Sequence, residues 1–296
     1  MFRIGNMSSA VDLVFSGGIE GGSLYLQTYG DVIITNKPSS FKSFYSDTRA
    51  KIKIFAPCTL DPNAESTFNK PDTEVHIMND NVLLANPRLK FDHRAVLDLH
   101  GHDIDVNTVY TAGDLSVKSN FYVRSEEPAT INLNTTFSCD AVAKFEGAVS
   151  IKKNGNHSYT LQASPLWADA YNSSTGNLEV AGGNLVIGAN QRWIGQKAVV
   201  SGSSAKLIFR QGAQLSRKTD VEINAAGGLV KLDQGSVVTC AVFRVNGVRM
   251  PSGTYGSTQS DAQYKDNTLF ATDNAQASLG TLVSLGDGKG LILTFR

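Results

Sequence analysis

Short runs of alternating apolar and polar residues recur along the chain, and they limit it to folds built from many short strands. Examples are Lys51–Phe55, Val96–Leu99, Ala148–Ile151 and Lys206–Phe209. Runs of about four to six residues with a period of two are typical of strands with one buried face. Clusters of Gly, Asn, Ser and Asp, which tolerate tight turns, separate the runs. The sequence therefore predicts an all-β protein.

Two architectures use many short strands: a sandwich joined by hairpins, and a solenoid that stacks similar strands into parallel sheets. Two-residue hairpin signals are few, at Asn154-Gly155 and Asn246-Gly247, and most connections are longer. Gly pairs mark the predicted corners, at Gly17-Gly18, Gly21-Gly22, Gly182-Gly183 and Gly227-Gly228. The pattern favours an elongated, right-handed parallel β-helix, that is, a β-solenoid.

Charge and hydropathy exclude several classes of function. The 296 residues include 27 basic and 27 acidic ones, so the net charge is zero. Nucleic-acid binding and attachment to a membrane surface both draw on a basic excess, so neither is expected. No stretch approaches the roughly 18 apolar residues of a transmembrane helix. Residues 1–5 lack the apolar segment of a secretion signal, and the repeating pattern begins at once, which favours a fragment of a longer protein.

The three cysteines, Cys58, Cys139 and Cys240, lie far apart and are odd in number. No Cys or His pairing has the spacing of a zinc site. One disulfide is an alternative, but buried thiols are the favoured interpretation.

Two segments are specific enough to suggest a family. Residues 97–103 read LDLHGHD, and residues 145–155 read FEGAVSIKKNG. Near the C-terminus, residues 245–248 read VNGV and residues 251–256 read PSGTYG. These motifs resemble autotransporter-associated β-strand repeats and the closing segment of passenger-type β-helix proteins. The resemblance implies a bacterial stalk-like solenoid, secreted or displayed on the cell surface, with an adhesive or glycan-related role and no catalytic motif.

The resemblance divides the chain into two parts. Residues 89–296 are interpreted as an autotransporter-repeat-like β-solenoid with its C-terminal closing segment. Residues 1–88 share the strand rhythm alone, so they are predicted to be β-rich coils without an assignment.

One polar cluster is dense enough to be weighed as a site. Its members are Asp92, His93, Asp98, His100, His102, Asp103 and Asp105. On a strand, Asp98, His100 and His102 would share one face, as a metal site or an acid–base pair requires. Outward positions of a strand are polar in any case, so a solvated turn is the favoured interpretation. We therefore predict no metal, no cofactor and no catalytic residue.

The alternative to a binding protein is a β-helix polysaccharide lyase or glycoside hydrolase. Glycoside hydrolysis needs paired carboxylates, and only Asp103 with Asp105, and Glu126 with Glu127, come near that pattern. The second pair precedes Pro128 and is interpreted as a solvated turn. A lyase would use a basic residue beside carboxylates; the candidates around Asp92 are Arg88, Lys90 and Arg94. Their spacing is not diagnostic.

Aromatic residues are the favoured ligand-binding groups, because exposed rings stack on sugar faces. Trp167, Tyr171 and Tyr159 are the candidates, whereas Trp193 is predicted to lie in the core. The expected partner is a polysaccharide or a cell-surface glycan. Lateral or end-to-end self-association is a further expectation, because uncapped solenoid ends expose strand edges.

Overall fold

The computed structural model describes residues 2–4, 12–46, 48–68, 70–91, 94–111, 121–162, 172–224, 226–272 and 280–286. Within these ranges the chain forms 33 β-strands and no helix, so no described segment is a helix that could cross a membrane. Parallel strands stack into a β-solenoid of about 10 turns. The all-β solenoid predicted from the sequence is confirmed.

The strands are short, with two long exceptions that bend around corners. The first twelve are β1 Phe2–Ile4, β2 Leu13–Phe15, β3 Glu20–Gly21, β4 Leu24–Leu26, β5 Asp31–Ile34, β6 Ser39–Phe41, β7 Phe44–Ser46, β8 Lys51–Ile54, β9 Cys58–Leu60, β10 Glu65–Phe68, β11 Glu74–Ile77 and β12 Leu83–Leu84. The next eleven are β13 Arg88–Phe91, β14 Val96–Asp98, β15 Ile104–Val106, β16 Thr108–Thr111, β17 Phe121–Leu133, β18 Cys139–Lys153, β19 Ser158–Gln162, β20 Leu178–Val180, β21 Asn184–Ile187, β22 Arg192–Trp193 and β23 Lys197–Val200. The last ten are β24 Lys206–Phe209, β25 Gln214–Leu215, β26 Asp220–Ile223, β27 Leu229–Leu232, β28 Val237–Cys240, β29 Phe243–Val245, β30 Val248–Arg249, β31 Gly253–Gly256, β32 Tyr264–Lys265 and β33 Thr281–Ser284.

Three faces of parallel strands surround the core. Face one stacks β1, β4, β7, β10, β13 and β16, and then β18, β19, β21, β24 and β27. Face two stacks β2, β5, β8, β11, β14, the first part of β17 and the middle of β18. Face three stacks β3, β6, β9 and β12, and then β15, the end of β17, the end of β18, β20, β23, β26 and β29.

The number of residues in a turn varies, which matters for the sites. Ser23 and Ser43 hydrogen-bond across neighbouring turns at a separation of 20 positions. Thr108 and Cys139 do the same at a separation of 31. Because adjacent strands lie about 4.8 Å apart, residues distant in sequence become close neighbours.

Apolar side chains fill the coil, and aromatic rings form a ladder within it. Phe44, Phe68, Phe91 and Phe121 succeed one another from turn to turn, with ring centroids 6.2, 4.9 and 5.2 Å apart. Trp193 is fully buried and packs against Phe145, as the sequence predicts. Alternation along each strand produces this core, because every second residue points inward.

Polar groups at the corners are satisfied by their neighbours in the stack. Thr73 donates its hydroxyl to the carbonyl of Thr48 at 2.7 Å, and Thr48 donates to the carbonyl of Thr28 at 2.5 Å. Buried backbone carbonyls need such partners. The predicted corner at Gly182-Gly183 lies between β20 and β21, where Gly183 has a φ of +59°.

The last turn is covered by the C-terminal strands. Strand β30 pairs antiparallel with β29 through a hairpin at Asn246-Gly247, and both hairpin residues have positive φ. Phe243 of this turn packs against Tyr255 and Phe270, with centroids 5.0 and 5.7 Å away. The described part of the segment after β30 therefore shields apolar rings at this end of the coil.

Candidate functional site

Face two carries a stripe of charged side chains of both signs on successive strands. We define the charged stripe by its members, which are Asp31, Lys51, Lys53, Glu74, His76, Asp98, His100 and Arg124. Lys53 Nζ lies 2.6 Å from Asp31 Oδ2. The two side chains are 34% and 28% exposed, so the pair lies at a partly solvated surface, where ion pairs contribute little to stability. The centre of the stripe differs, because His76 and Asp98 are each only 8% exposed.

The two imidazoles at the centre of the stripe hydrogen-bond to each other. His76 Nδ1 lies 2.8 Å from His100 Nε2, and the rings stack with centroids 5.1 Å apart. The other nitrogen of His76, Nε2, lies 2.9 Å from Glu74 Oε2. A carboxylate accepts only, so Nε2 carries the proton that Glu74 accepts when His76 is neutral. The tautomer assigned on this ground leaves Nδ1 with a lone pair.

Asp98 completes the centre from the neighbouring strand. Its Cα is in register with that of His76, and its Oδ1 lies 3.6 Å from His100 Nε2. Arg124 Nε donates to Asp98 Oδ2 at 2.7 Å. The guanidinium thus fixes one carboxylate oxygen. The other lies beside His100, whose backbone N–H donates to it at 3.3 Å.

The centre favours a neutral His76. Burial lowers the pKa of His76, while the carboxylates of Glu74 and Asp98 counter part of this effect. Desolvation disfavours the charged form of a base, and here it outweighs the attraction to the carboxylates. A neutral imidazole is the form that binds cations.

The local backbone brings His100 back over the strand. Strand β14 ends at Asp98, and His100 and Gly101 follow with φ of +49° and +83°. His102 therefore turns away and places its Nδ1 3.1 Å from Asp80 Oδ1. The expectation that Asp98, His100 and His102 share one face is wrong for His102, because the positive φ angles of His100 and Gly101 turn the chain before it.

The remaining predicted polar residues are dispersed. Asp103 Oδ1 accepts from the backbone of Thr130 at 2.6 Å, and Asp105 lies in β15. Glu126 and Glu127 are exposed, as expected, but they lie within β17 at the point where its register with β18 shifts, and not at a turn. Asp92 and His93 lie outside the described residues.

The basic residues near Asp92 have other partners. Lys90 Nζ pairs with Glu65 Oε2 at 2.9 Å on face one. The Arg88 guanidinium lies 4.8 Å from the ring centroid of Phe137. Lys90 is thus held in an ion pair, and Arg88 is packed on an aromatic ring.

A cleft of about 570 Å³ opens beside the imidazole pair. Its lining includes Asp98, His100, Arg124, Glu126, Glu127 and Glu146. Small solutes in the cleft can reach Asp98 and His100.

A larger groove of about 910 Å³ lies elsewhere, along one edge of face one. We call it the polar groove; it is lined by Asp140, Thr160, Gln162, Gly188, Ala189, Asn190, Arg210, Gln211, Gly212 and Asp233. Successive turns of the coil supply these residues, so the groove runs along the stack. Arg210 Nη1 lies 2.9 Å from Asp233 Oδ2 across neighbouring turns.

The predicted aromatic residues do not line this groove in the part of the chain that the structure describes. Tyr159 is fully buried, and its hydroxyl donates to the carbonyl of Val109 at 2.6 Å. It has the same inward direction as Leu161 two positions later, so it offers no face to a glycan. Trp167 and Tyr171 lie outside the described residues; their segment follows Gln162 in sequence.

Sequence reasoning missed two contributors to the imidazole centre, Glu74 and His76. Their distance in sequence from Asp98 and His100 hides the relationship, since His76 and His100 are 24 positions apart. Glu74 and His76 alternate with apolar residues and so point outward from β11. Once the length of the following turn is known, His76 can be placed beside Asp98 on β14.

Searches against family models, curated proteins and solved structures found no match to this chain. The fold is compatible with a β-helix protein.

Proposed function

We propose that the chain is a non-catalytic β-solenoid, secreted or displayed on a bacterial surface, that binds a polysaccharide or cell-surface glycan along the polar groove. The supporting observation is the groove itself, which is long, open and lined by hydrogen-bonding side chains from successive turns. The resemblance of residues 89–296 to autotransporter-associated repeats supports the location and the adhesive role. Self-association of coils, side by side or end to end, belongs to the same proposal.

The chemistry of the lining suits sugar hydroxyls. Gln162, Asn190 and Gln211 each carry an acceptor oxygen and a donor nitrogen, and the hydroxyl of Thr160 both donates and accepts. Sugar hydroxyls also donate and accept, so the amides and the hydroxyl of the groove can form hydrogen bonds with them in both directions. The groove includes two carboxylates and one guanidinium, which favours a neutral or weakly charged glycan.

A glycan array with a groove variant tests the proposal. The double variant Thr160→Val/Gln211→Ala removes outward polar atoms and is expected to weaken binding at least about tenfold, the effect of about 1.4 kcal/mol. Ser40→Ala/Thr59→Val is the matched control, because Ser40 and Thr59 are exposed, registered partners on face three. Trp167→Ala/Tyr171→Ala tests the two remaining aromatic candidates.

The outcomes separate the candidate functions. Binding that is lost in the groove variant and kept in the control supports the proposal. Absence of binding to every glycan would overturn it and leave a structural stalk. Release of new chain ends from a bound polysaccharide would instead establish the alternative, a polysaccharide lyase or glycoside hydrolase.

A further inference from the structure

We propose that His76, Asp98 and His100 form a binding site for a divalent transition-metal ion, with zinc the best-suited metal. The site goes beyond the proposed glycan binding, since it lies on face two and shares no residue with the polar groove. It would join two neighbouring turns of the solenoid through a single ion.

The three ligand atoms already converge. His76 Nδ1, His100 Nε2 and Asp98 Oδ1 are the contributing atoms, and the ligand atoms of the three residues lie within 4.8 Å of one another. Two ligands about 2.0–2.1 Å from a tetrahedral ion lie roughly 3.3 Å apart. The distance from His100 Nε2 to Asp98 Oδ1, 3.6 Å, is close to this value. The 2.8 Å between the two imidazole nitrogens must open by about half an ångström. The remaining pair, His76 with Asp98, lies within 4.8 Å.

His100 is the residue that can make this adjustment. Its side chain is 40% exposed and stands on a turn, whereas the other two ligands are buried in strands. Metal binding replaces the hydrogen bond between the imidazoles, and the proton on His100 Nε2 moves to Nδ1 or to solvent.

Two further side chains position the ligands. Glu74 accepts from His76 Nε2 at 2.9 Å, which is the carboxylate–histidine arrangement that orients a ligating imidazole. Arg124 holds Asp98 Oδ2 at 2.7 Å. The charge of Arg124 is balanced by Asp98. The charge of Lys51 is balanced by Glu74, since Lys51 Nζ lies 3.8 Å from Glu74 Oε2.

The donor set selects the class of metal. Imidazole nitrogens suit zinc, copper and nickel, whereas calcium and magnesium prefer oxygen ligands. Three protein ligands leave a fourth position open in a tetrahedral site. Two of the three ligands, His100 and Asp98, line the 570 Å³ cleft, so water or a small anionic group could reach that position from the cleft.

Calorimetric titration of Zn²⁺ into untagged, chelator-treated protein tests the site. We expect one ion per chain, bound with micromolar or tighter affinity, and unaffected by excess Ca²⁺. His100→Ala should abolish binding at this stoichiometry. Glu74→Gln should weaken it by about ten- to a hundredfold, as loss of an orienting carboxylate does. Bound Co²⁺ should give a visible absorption band that His100→Ala removes.

A nearby histidine provides the matched control. His102 also contacts a carboxylate, Asp80, but lies outside the cluster. His102→Ala should therefore keep the zinc affinity of the parent protein. Because His76 is buried and its alanine variant could unfold, the exposed His100 decides the test. Absence of zinc binding in the parent, or unchanged binding in His100→Ala, would overturn the proposal.

Discussion

The rings of Phe68 and Phe91 stack inside the coil with centroids 4.9 Å apart and planes 25° apart. Their strands, β10 and β13, are in register, and this pairing carries the solenoid across residues 88 and 89, where the family resemblance begins. The contact shows how the coil converts distant positions into neighbours.

Phe91→Ala should destabilise the protein by about 3–5 kcal/mol, because Phe91 is fully buried between two rings and its removal leaves a cavity. Urea denaturation measures the change. Phe55→Ala is the control: Phe55 is 36% exposed, and its loss should cost much less. Equal losses for the two variants would contradict the aromatic ladder.

Gly147→Ala should destabilise by about 1–3 kcal/mol or more, because Gly147 has a φ of +73° and a Cβ would lie 2.0 Å from the carbonyl oxygen of Ser125. Gly17→Ala introduces the same methyl group where no atom lies within 4 Å, and should change stability by no more than about 0.5 kcal/mol. Thermal unfolding of both variants checks the corner geometry. If Gly147→Ala unfolds at the same temperature as the parent, β17 and β18 are not stacked as described.

Lys153 should make stability rise with pH. Burial lowers its pKa from 10.5 to about 8, and its ammonium donates to the carbonyls of Gly155 and Gly182. Between these two pKa values the unfolded chain binds the proton more strongly, so raising the pH favours the folded state; below about pH 8 both states are protonated and the penalty is constant.

The comparison with Lys153→Met isolates this effect. Between pH 8 and 9, the parent should gain about 1 kcal/mol of unfolding free energy relative to Lys153→Met. Lys152→Met, at a neighbouring lysine that is paired with Glu179 at the surface, keeps Lys153 and should therefore keep the pH dependence of the parent. If the difference in unfolding free energy between the parent and Lys153→Met did not change with pH, the pKa of Lys153 would not be lowered by burial.

The three cysteines should resist thiol reagents in the folded protein. All are free and buried, and burial raises the pKa of Cys58 and Cys240 to about 12 and that of Cys139 to about 11. The thiolate is the reactive form. A colorimetric thiol assay at pH 8 should therefore find no rapidly reacting group before denaturation and three after it. A rapidly reacting thiol in the native protein would contradict this burial.

Local pattern is enough to predict much of the architecture. Alternation places Trp193 and the strand residues of the core correctly, and the interpretation of the scattered cysteines as buried thiols is confirmed. The same alternation predicts an inward Tyr159, since it shares the parity of the apolar Leu161. The position of Tyr159 in the strand therefore predicts its burial, whereas its aromatic character alone suggests a ligand-binding role.

The imidazole centre could not be predicted, because it depends on the length of each turn. Stacked residues on neighbouring turns are 20 positions apart in one place and 31 in another. The spacing of the strands in the sequence does not predict such differences. A change of one residue in the turn before β14 would move Asp98 away from His76. The reversal at His100 also depends on a positive φ that the sequence signals only through the following glycine.

Register between turns is therefore the central claim, and engineered disulfides measure it directly. Thr67 and Lys90 are registered partners on face one and point outward. Their Cα atoms lie about 4.8 Å apart, within the span of a disulfide. Thr67→Cys/Lys90→Cys should oxidise spontaneously, as peptide mass spectrometry would detect. Thr67→Cys/Arg88→Cys is displaced by two residues, about 8 Å, and should stay reduced. Efficient cross-linking of the displaced pair, with none in the registered pair, would contradict the stacking on which both proposed sites depend.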